Sequence, residues 1–465
     1  MNRVLVLILL SWSSGLLAEA LQPELERLSK VVQMKTVSHQ DPSNMDAAPF
    51  HDFEAAVRDF YPRTFSELEV TMISEHSFLL KWQGSDQNLK PVLVDAHYDV
   101  VPVEPGTEDD WNFEPYSGAV ENGYVLGRGT IDMKSPAMAT FEAIEKLLIA
   151  GHQPTRTLYY SLGHDEEIGG RNGAAKIAEH LKEQGVTFEY MLGEGGIALD
   201  SHPLLPGRQV VMVNLAQKGF VTLTLSTTGE GGHSSSPTED NSLVRLAEAV
   251  SKLHRQPFDP KLVSPVSDML ESIGNMRGGV MGFALKNQWL TSPFLIDQLS
   301  SDRLTRSMVI TTTAVTMFNA GVKENVIPQR AEAKVNFRLL PGDTKETLIA
   351  DVKAIIDDPE VTVEAASDWN VIPQVADMNA LGYELIKESV AEILPDAAVI
   401  PGLLIATTDT KHYEDLAENV YHFQPMFIAM EDASGIHGTN ERVRVDAYLE
   451  SLRLAESTIR TITSQ

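Results

Sequence analysis

Hydrophobic positions along this chain follow two periods in turn. Short continuous apolar runs at 91–95 (PVLVD) and 157–162 have the length and composition of buried strands. Between them Met138, Phe141, Ile144, Leu147 and Leu148 recur at helical spacing, opened by Ser135-Pro136 and closed by Gly151 and Pro154. Serine as N-cap and proline in the first turn are the expected start signals. This rhythm begins near Leu21 and predicts an α/β fold: a mixed, mostly parallel sheet with helices on both faces.

Near Val213 the pattern changes. Residues 219–227 alternate as a strand, 241–253 repeat as a helix, strands follow at 308–317 and 331–339, and a helix at 344–356. Together they predict an α+β unit, a four-stranded sheet with two helices on one face. A long apolar stretch between about 256 and 305 contains Trp289, Phe294 and Leu295. The strand–helix rhythm resumes near Asp377, so the second unit is inserted into the first. The expected division is 21–212 with 372–465 for the larger unit and 213–371 for the insertion.

Residues 1–20 read as a secretory signal: Arg3, an apolar run at 4–10, and Ala18-Glu19-Ala20 as an A-x-A cleavage site. The run is too short to span a bilayer, and no later segment is long and apolar enough to do so. The chain is therefore expected to be exported, periplasmic or secreted, with no stable membrane span once the signal is removed. No N-x-S/T sequon occurs, which favours a periplasm over a glycosylating pathway. The chain contains no cysteine, which removes disulfides, thiolate nucleophiles and Cys-ligated zinc. A formal charge of −28 over 465 residues excludes a nucleic-acid partner, because phosphate is repelled across most of the surface.

Five short stretches concentrate potential ligands in loops or at predicted strand ends. The first is Asp95-Ala-His97-Tyr-Asp99, where His97 and Asp99 share one face of an extended segment, so that a carboxylate can orient an imidazole. The second holds Asp132 before the Ser135 helix, as a helix-dipole partner or as a carboxylate whose two oxygens bridge two cations. The third is His164-Asp165-Glu166-Glu167 after a buried strand, where adjacent carboxylates repel unless cations neutralise them. The fourth is Gly193-Glu194-Gly195-Gly196, which completes neither phosphate-loop pattern; the fifth is Gly435-Ile-His437 with Asn440-Glu441. Taken together they offer His, Asp, Glu, Glu and His, a set suited to a pair of zinc-like ions. H-E-x-x-H and G-x-S-x-G are both absent.

In this order and spacing, from about Leu21 onward, the five stretches resemble the metal motifs of the co-catalytic di-zinc aminoacylase/carboxypeptidase family. That family includes glutamate carboxypeptidase, aminoacylase and succinyl-diaminopimelate desuccinylase. The resemblance implies a zinc-exopeptidase-like fold with a ferredoxin-like lid or dimerisation domain, through which two copies can pair. It implies two divalent ions, Zn2+ by preference, with Mn2+ and Co2+ compatible with the same ligands. His97, Asp132 and Glu194 resemble the ligands of one ion, and Asp132, Glu167 and His437 those of the other, with Asp132 bridging and preceding a cis peptide bond. Asp99 resembles the partner of His97, and Glu166 the catalytic base. In the insertion, His233 resembles the imidazole that reaches the substrate oxyanion. Asn325 and Arg338 resemble the groups that hold the substrate carboxylate, for which an arginine fork is chemically apt.

The branch resembled is the carboxypeptidase S and N-fatty-acyl-amino-acid hydrolase group, through VDAHYDVVPV, WNFEPYSG, TAVTMFNAGVKENVIP and the 408–412 stretch TDTKH. There Lys411 stands where an arginine is expected, so it meets a carboxylate as a point charge without the bidentate fork. The resemblance implies hydrolysis of the amide bond beside a C-terminal amino acid, in short peptides or N-acyl amino acids. The competing expectation is a catalytically silent binding protein on the same scaffold. For the apolar stretch in the insertion, two expectations compete: ordinary lid core, or the lining of an acyl-chain channel.

Overall fold

The computed structural model describes residues 21–366, 371–424, 426–429 and 431–465; the signal expected at 1–20 lies outside them. The apolar run expected at 91–95 is strand β3 (Val92–His97), and the one at 157–162 is β6 (Leu158–Gly163). They lie side by side and parallel in a nine-stranded sheet. Parallel β7 (Tyr190–Gly193) and β17 (Val420–His422) extend it on one side. Antiparallel β2 (Ser77–Trp82) and β1 (Glu69–Ile73) extend it on the other. Beyond β17 come β9 (Val210–Gln217), its parallel neighbour β16 (Ala398–Leu404), and the short β8 (Ile197–Leu199). The sheet is thus mixed, with a parallel centre.

Strand alternation explains why both faces are apolar. Leu80, Val92, Val94, Tyr160, Leu162 and Leu192 belong to one buried cluster, while Leu79, Leu93, Tyr159 and Met191 belong to another. The first face is covered by α1 (Pro23–Val32), α2 (Ala48–Phe60), α3 (Pro62–Glu67), α4 (Ser135–Ile149), α12 (Leu381–Ile393) and α13 (Val445–Thr463). The second is covered by α5 (Ala174–Glu183) through Ala174, Ile177, Ala178 and Leu181. Helix α4 begins differently from the expectation. Ser135 already has helical φ/ψ and is not the N-cap, because a wide turn at Thr130–Lys134 runs directly into the helix. The Ser135 hydroxyl donates back to the Thr130 carbonyl within that turn.

Strand β9 carries the chain to Gln217 in the large sheet, and β10 (Gly219–Thr228) opens a second one. That sheet is antiparallel and four-stranded, in the order β12 (Thr312–Ala320), β14 (Arg330–Leu339), β10 and β15 (Thr362–Ala365). One face packs on α6 (Ser242–Arg255) and α11 (Lys345–Ile356). Asn241 caps α6 by accepting from the backbone N–H of Leu243 and Val244, and Thr344 caps α11 in a reciprocal box with Thr347. The long apolar stretch forms α7 (Val266–Arg277), α8 (Gly279–Lys286), α9 (Gln288–Ser300) and α10 (Arg303–Ser307). Leu295 joins Val210, Ala398, Ile400 and Leu403 in a third core against the β9–β16 edge of the large sheet. Trp289 and Phe294, in contrast, are 82% and 56% exposed. Lid core therefore accounts for Leu295 but not for the two aromatic residues.

Two small ladders complete the chain. Strands β4 (Val120–Glu121), β5 (Tyr124–Leu126) and β18 (Arg442–Arg444) form one, and β11 (Gly232–His233) with β13 (Val326–Ile327) forms the other. Among the described residues, no helix is long and apolar enough to cross a membrane.

Candidate metal centre

Parallel strands bring their C-terminal ends to one edge of a sheet, and the loops leaving that edge collect the ligand candidates. His97 ends β3, Glu166 and Glu167 lie in a 3-10 turn just after β6, and Glu194 follows β7. Asp132 projects from the wide turn before α4, with a cis peptide bond between Asp132 and Met133, where the resemblance placed it. His437 comes from the C-terminal segment in a left-handed conformation, φ 56°.

These residues converge as two triads sharing one carboxylate: His97, Asp132 and Glu194, and Asp132, Glu167 and His437. Within each triad the ligand atoms lie within 4.8 Å of one another. Asp132 divides its oxygens between them. Its Oδ1 lies 3.1 Å from His97 Nε2 and its Oδ2 lies 3.1 Å from His437 Nε2. Glu194 reaches His97 Nε2 at 3.6 Å, and Glu167 reaches His437 Nε2 at 3.0 Å.

Electrostatics point to the same requirement. Burial, with Asp132 beside it, pushes Glu167 up to about 7, and burial with Asp132 also raises Glu194. Burial raises Glu166 well above the carboxylate range. Hydrogen bonds to Asp132 and Glu167 hold the His437 imidazolium up to about 10. Burial opposes the charge on His97, but hydrogen bonds to Asp132 and Asp99 outweigh it and raise its pKa. Burial and neighbouring carboxylates thus raise the three glutamates, whereas at Asp132 burial is outweighed by hydrogen bonds to His437 and His97, which lower its pKa. Glu167 Oε1 is buried without a hydrogen-bond partner. An orphaned carboxylate oxygen among two imidazoles and two further carboxylates fits a pair of divalent ions.

Asp99 fastens the loops together. Its carboxylate takes the Ser38 hydroxyl at 2.6 Å and the backbone N–H groups of Glu166 and Glu167, both at 3.1 Å, and lies 3.3 Å from His97 Nδ1. Burial would raise its pKa, but the His97 hydrogen bond brings it below the ordinary value. The C-terminal segment contributes an anchor that motif reading did not assign. Glu441 is fully buried, pairs with Arg128 at 2.7 Å, and accepts the backbone N–H of Gly129, Ile131 and Asp132 at 2.9, 2.8 and 3.2 Å. Its signal in the sequence was only its place four residues after His437.

The expected substrate residues come from other elements, and Lys411 touches Asp409, whose charge acts on Glu166 and Glu194. His233 is exposed on the β11–β13 ladder, and its Nδ1 accepts hydrogen bonds from the backbone N–H and hydroxyl of Ser235. Asn325 precedes β13, with its side-chain carbonyl oxygen buried and unpartnered. Arg338 stacks over Phe220 at 4.7 Å and donates to Thr407 Oγ1 at 2.9 Å. Burial lowers its pKa, and none of the ion pairs among the described residues joins it to a carboxylate. Lys411 is buried with its Nζ 3.5 Å from Asp409 Oδ1. Lys218, unnoticed in the sequence, donates to the Ser307 and Ile310 carbonyls at 2.9 and 2.6 Å, and burial pulls it down to about 7.

Comparison with known proteins follows this geometry. The family model described as peptidase family M20/M25/M40 matches residues 93–461. The N-fatty-acyl-amino acid synthase/hydrolase PM20D1 of Bos taurus is 36% identical over 91% of this chain and 84% of its own length. Carboxypeptidase S of Saccharomyces cerevisiae is 30% identical over 92% of this chain and 82% of its own. Among solved structures, an M20 family metallo-carboxypeptidase from Sulfolobus solfataricus superposes with a TM-score of 0.68 at 18% identity, covering 95% of this chain and 100% of that one.

Proposed function

Since the chain belongs to peptidase family M20/M25/M40, we propose that it is a metal-dependent carboxypeptidase and N-acyl-amino-acid amidohydrolase, acting on the amide bond beside a free C-terminal carboxylate. The observation that carries this reading is the sharing of Asp132, one oxygen toward His97 and the other toward His437. His97, Asp132 and Glu194 would hold one divalent ion, and Asp132, Glu167 and His437 the other, with zinc the ion best suited to the set. When bound, such ions polarise a carbonyl and lower the pKa of water.

The chain's own residues do the rest. Glu166 is tied through its backbone N–H to Asp99, and its raised pKa suits a base that must accept a proton near neutrality. It takes the proton of the attacking water and returns it to the leaving amine. Arg338, a half-buried cation with Thr407 for a neighbour, suits a substrate carboxylate as counterion, with Asn325 and Lys411 as further polar contacts and His233 supplying an oxyanion donor. The reading as a silent binding protein has no support, since Glu166 lies beside both triads and the relatives it resembles in sequence are hydrolases by name.

In this reading 21–212 with 372–465 form the catalytic unit and 213–371 the lid, with the boundary moved from 213 to Lys218 because β9 runs unbroken to Gln217 in the large sheet. The lid's edge strand β12 exposes Val315, Met317 and Phe318 and suits pairing with a second copy. Export through the 1–20 signal, to a periplasm or the medium, completes the proposal. The direct test is a panel of dipeptides and N-acyl amino acids of increasing acyl length, assayed with added zinc against chelated enzyme. Zinc-dependent release of the C-terminal amino acid is expected; no turnover and no bound metal across the panel would overturn the reading.

A further inference from the structure

Away from the shared-carboxylate centre, a third group of metal-ligating side chains converges where α2 meets the β1–β2 hairpin. His51 and Glu54 lie three residues apart on α2 and so share a face. His76 is the last residue of the three-residue turn between β1 and β2, whose other two members, Ser74 and Glu75, both adopt left-handed backbone at φ 50° and 72°. Non-glycine residues hold that conformation only when their surroundings impose it. Here the turn delivers His76, 6% exposed, against α2.

The three ligand atoms lie within 4.8 Å of one another, the same convergence as the two catalytic triads. His76 Nδ1 is 2.7 Å from Glu54 Oε1, and His51 Nδ1 is 3.8 Å from Glu54 Oε2. The imidazole rings lie 4.9 Å apart, centroid to centroid. Two imidazoles this close, with a carboxylate between them, offer three donor atoms to one cation. Two histidines and a glutamate form a known zinc donor set, and a tetrahedral ion with bonds of about 2.1 Å asks for ligand separations of about 3.4 Å. The separations here need only small rotamer adjustments, and His51 is exposed enough to leave the fourth position to water.

We propose that His51, Glu54 and His76 form a third divalent-metal site, specific for zinc-like ions, that clamps helix α2 to the β1–β2 turn. The clamp stands directly behind the catalytic loops. The His76 carbonyl accepts the Tyr98 hydroxyl at 2.7 Å, and Tyr98 lies between His97 and Asp99. The next residue, Ser77, hydrogen-bonds His164 at 2.6 Å, and His164 leads into Asp165 and Glu166. An ion here takes no part in bond cleavage; it steadies the turn on which the base-bearing loop rests.

Zinc stoichiometry of the full-length protein, stripped with chelator and dialysed to equilibrium against zinc, tests the site. Wild type is expected to hold one ion more per chain than His51→Ala and than Glu54→Gln. The His51 side chain is mostly exposed, so its removal leaves the fold intact, and circular dichroism in chelator checks this. A parallel readout is the zinc-induced rise in Tm, expected to be smaller in both variants. Equal stoichiometry and equal Tm shifts in wild type and variants overturn the clamp. Because the readout is a difference of one ion, it holds whatever the catalytic centre binds, and a His437→Ala variant that keeps the clamp ion separates the two sites.

Discussion

Glu441 and Arg128 face each other at 2.7 Å with both side chains buried, and through this pair the C-terminal segment grips the turn that carries Asp132. Removing one partner strands the other as a buried, uncompensated charge. Glu441→Ala is therefore expected to cost about 3–5 kcal/mol of stability, read by denaturant unfolding. It also frees the backbone N–H groups of Gly129, Ile131 and Asp132, so metal content should fall with it.

Glu166→Gln keeps shape and removes the base. The expected result is a drop in kcat of about 10²–10⁴-fold, with metal content and Tm near wild type. Retained turnover would show that another group moves the proton.

Asp99→Asn leaves one oxygen to accept from donors that now use two. The amide cannot accept from Ser38, Glu166 and Glu167 together while orienting His97. Metal affinity is expected to fall by about 10–100-fold, measured by competition with a chromophoric chelator.

Gly170 has φ +68°, and a Cβ placed there would come 1.9 Å from Asp409 Oδ1. Gly170→Ala therefore either displaces Asp409 or distorts the loop holding Glu166 and Glu167. A lowered Tm and a loss of activity are expected together, where a solvent-facing site such as Gly185, with open space around it, would show mainly the smaller cost of its own positive φ.

The metal-free protein should lose stability as pH rises. His437 is raised from 6.5 to about 10, so its contribution is complete below 6.5 and disappears as pH climbs through about 10. Glu167 is raised from 4.5 to about 7, so its contribution has the same sign and fades between those values. Tm measured in chelator from pH 5 to 9 is expected to fall, and saturating zinc should flatten the slope by replacing protons at the same atoms.

The convergence of His97, Asp132, Glu167, Glu194 and His437 was legible because each lies in a short motif, and for His97, Glu167 and Glu194 a strand end fixes direction locally. Asn241 and Thr344 were legible as helix starts for the same reason: a cap is a contact between near neighbours. Ser135 misled because the wide turn at Thr130–Lys134 hands the chain into α4 already helical, a geometry set by Glu441 about three hundred residues away. Lys218 was illegible because its partners are backbone carbonyls, which carry no residue identity to read, and Glu441 because it holds three backbone N–H groups and an arginine about three hundred residues away in the chain. The apolar stretch in the insertion divided for a related reason. Hydrophobicity alone does not say which side of a helix meets the large sheet, so Leu295 became core while Trp289 stayed in solvent.

The order in which the ligands occur along the chain has a consequence for biosynthesis. His97, Asp132 and Glu194 all precede the inserted lid, whereas His437 follows it by more than sixty residues. A ribosome making the chain from its N-terminus completes one triad long before the other exists. Until the last segment emerges, Asp132 and Glu167 lack both the imidazole and the Glu441 anchor that give their loops a shape. The paired centre thus has its full ligand set only after the lid has been synthesised, so the two triads are completed on opposite sides of the lid's translation.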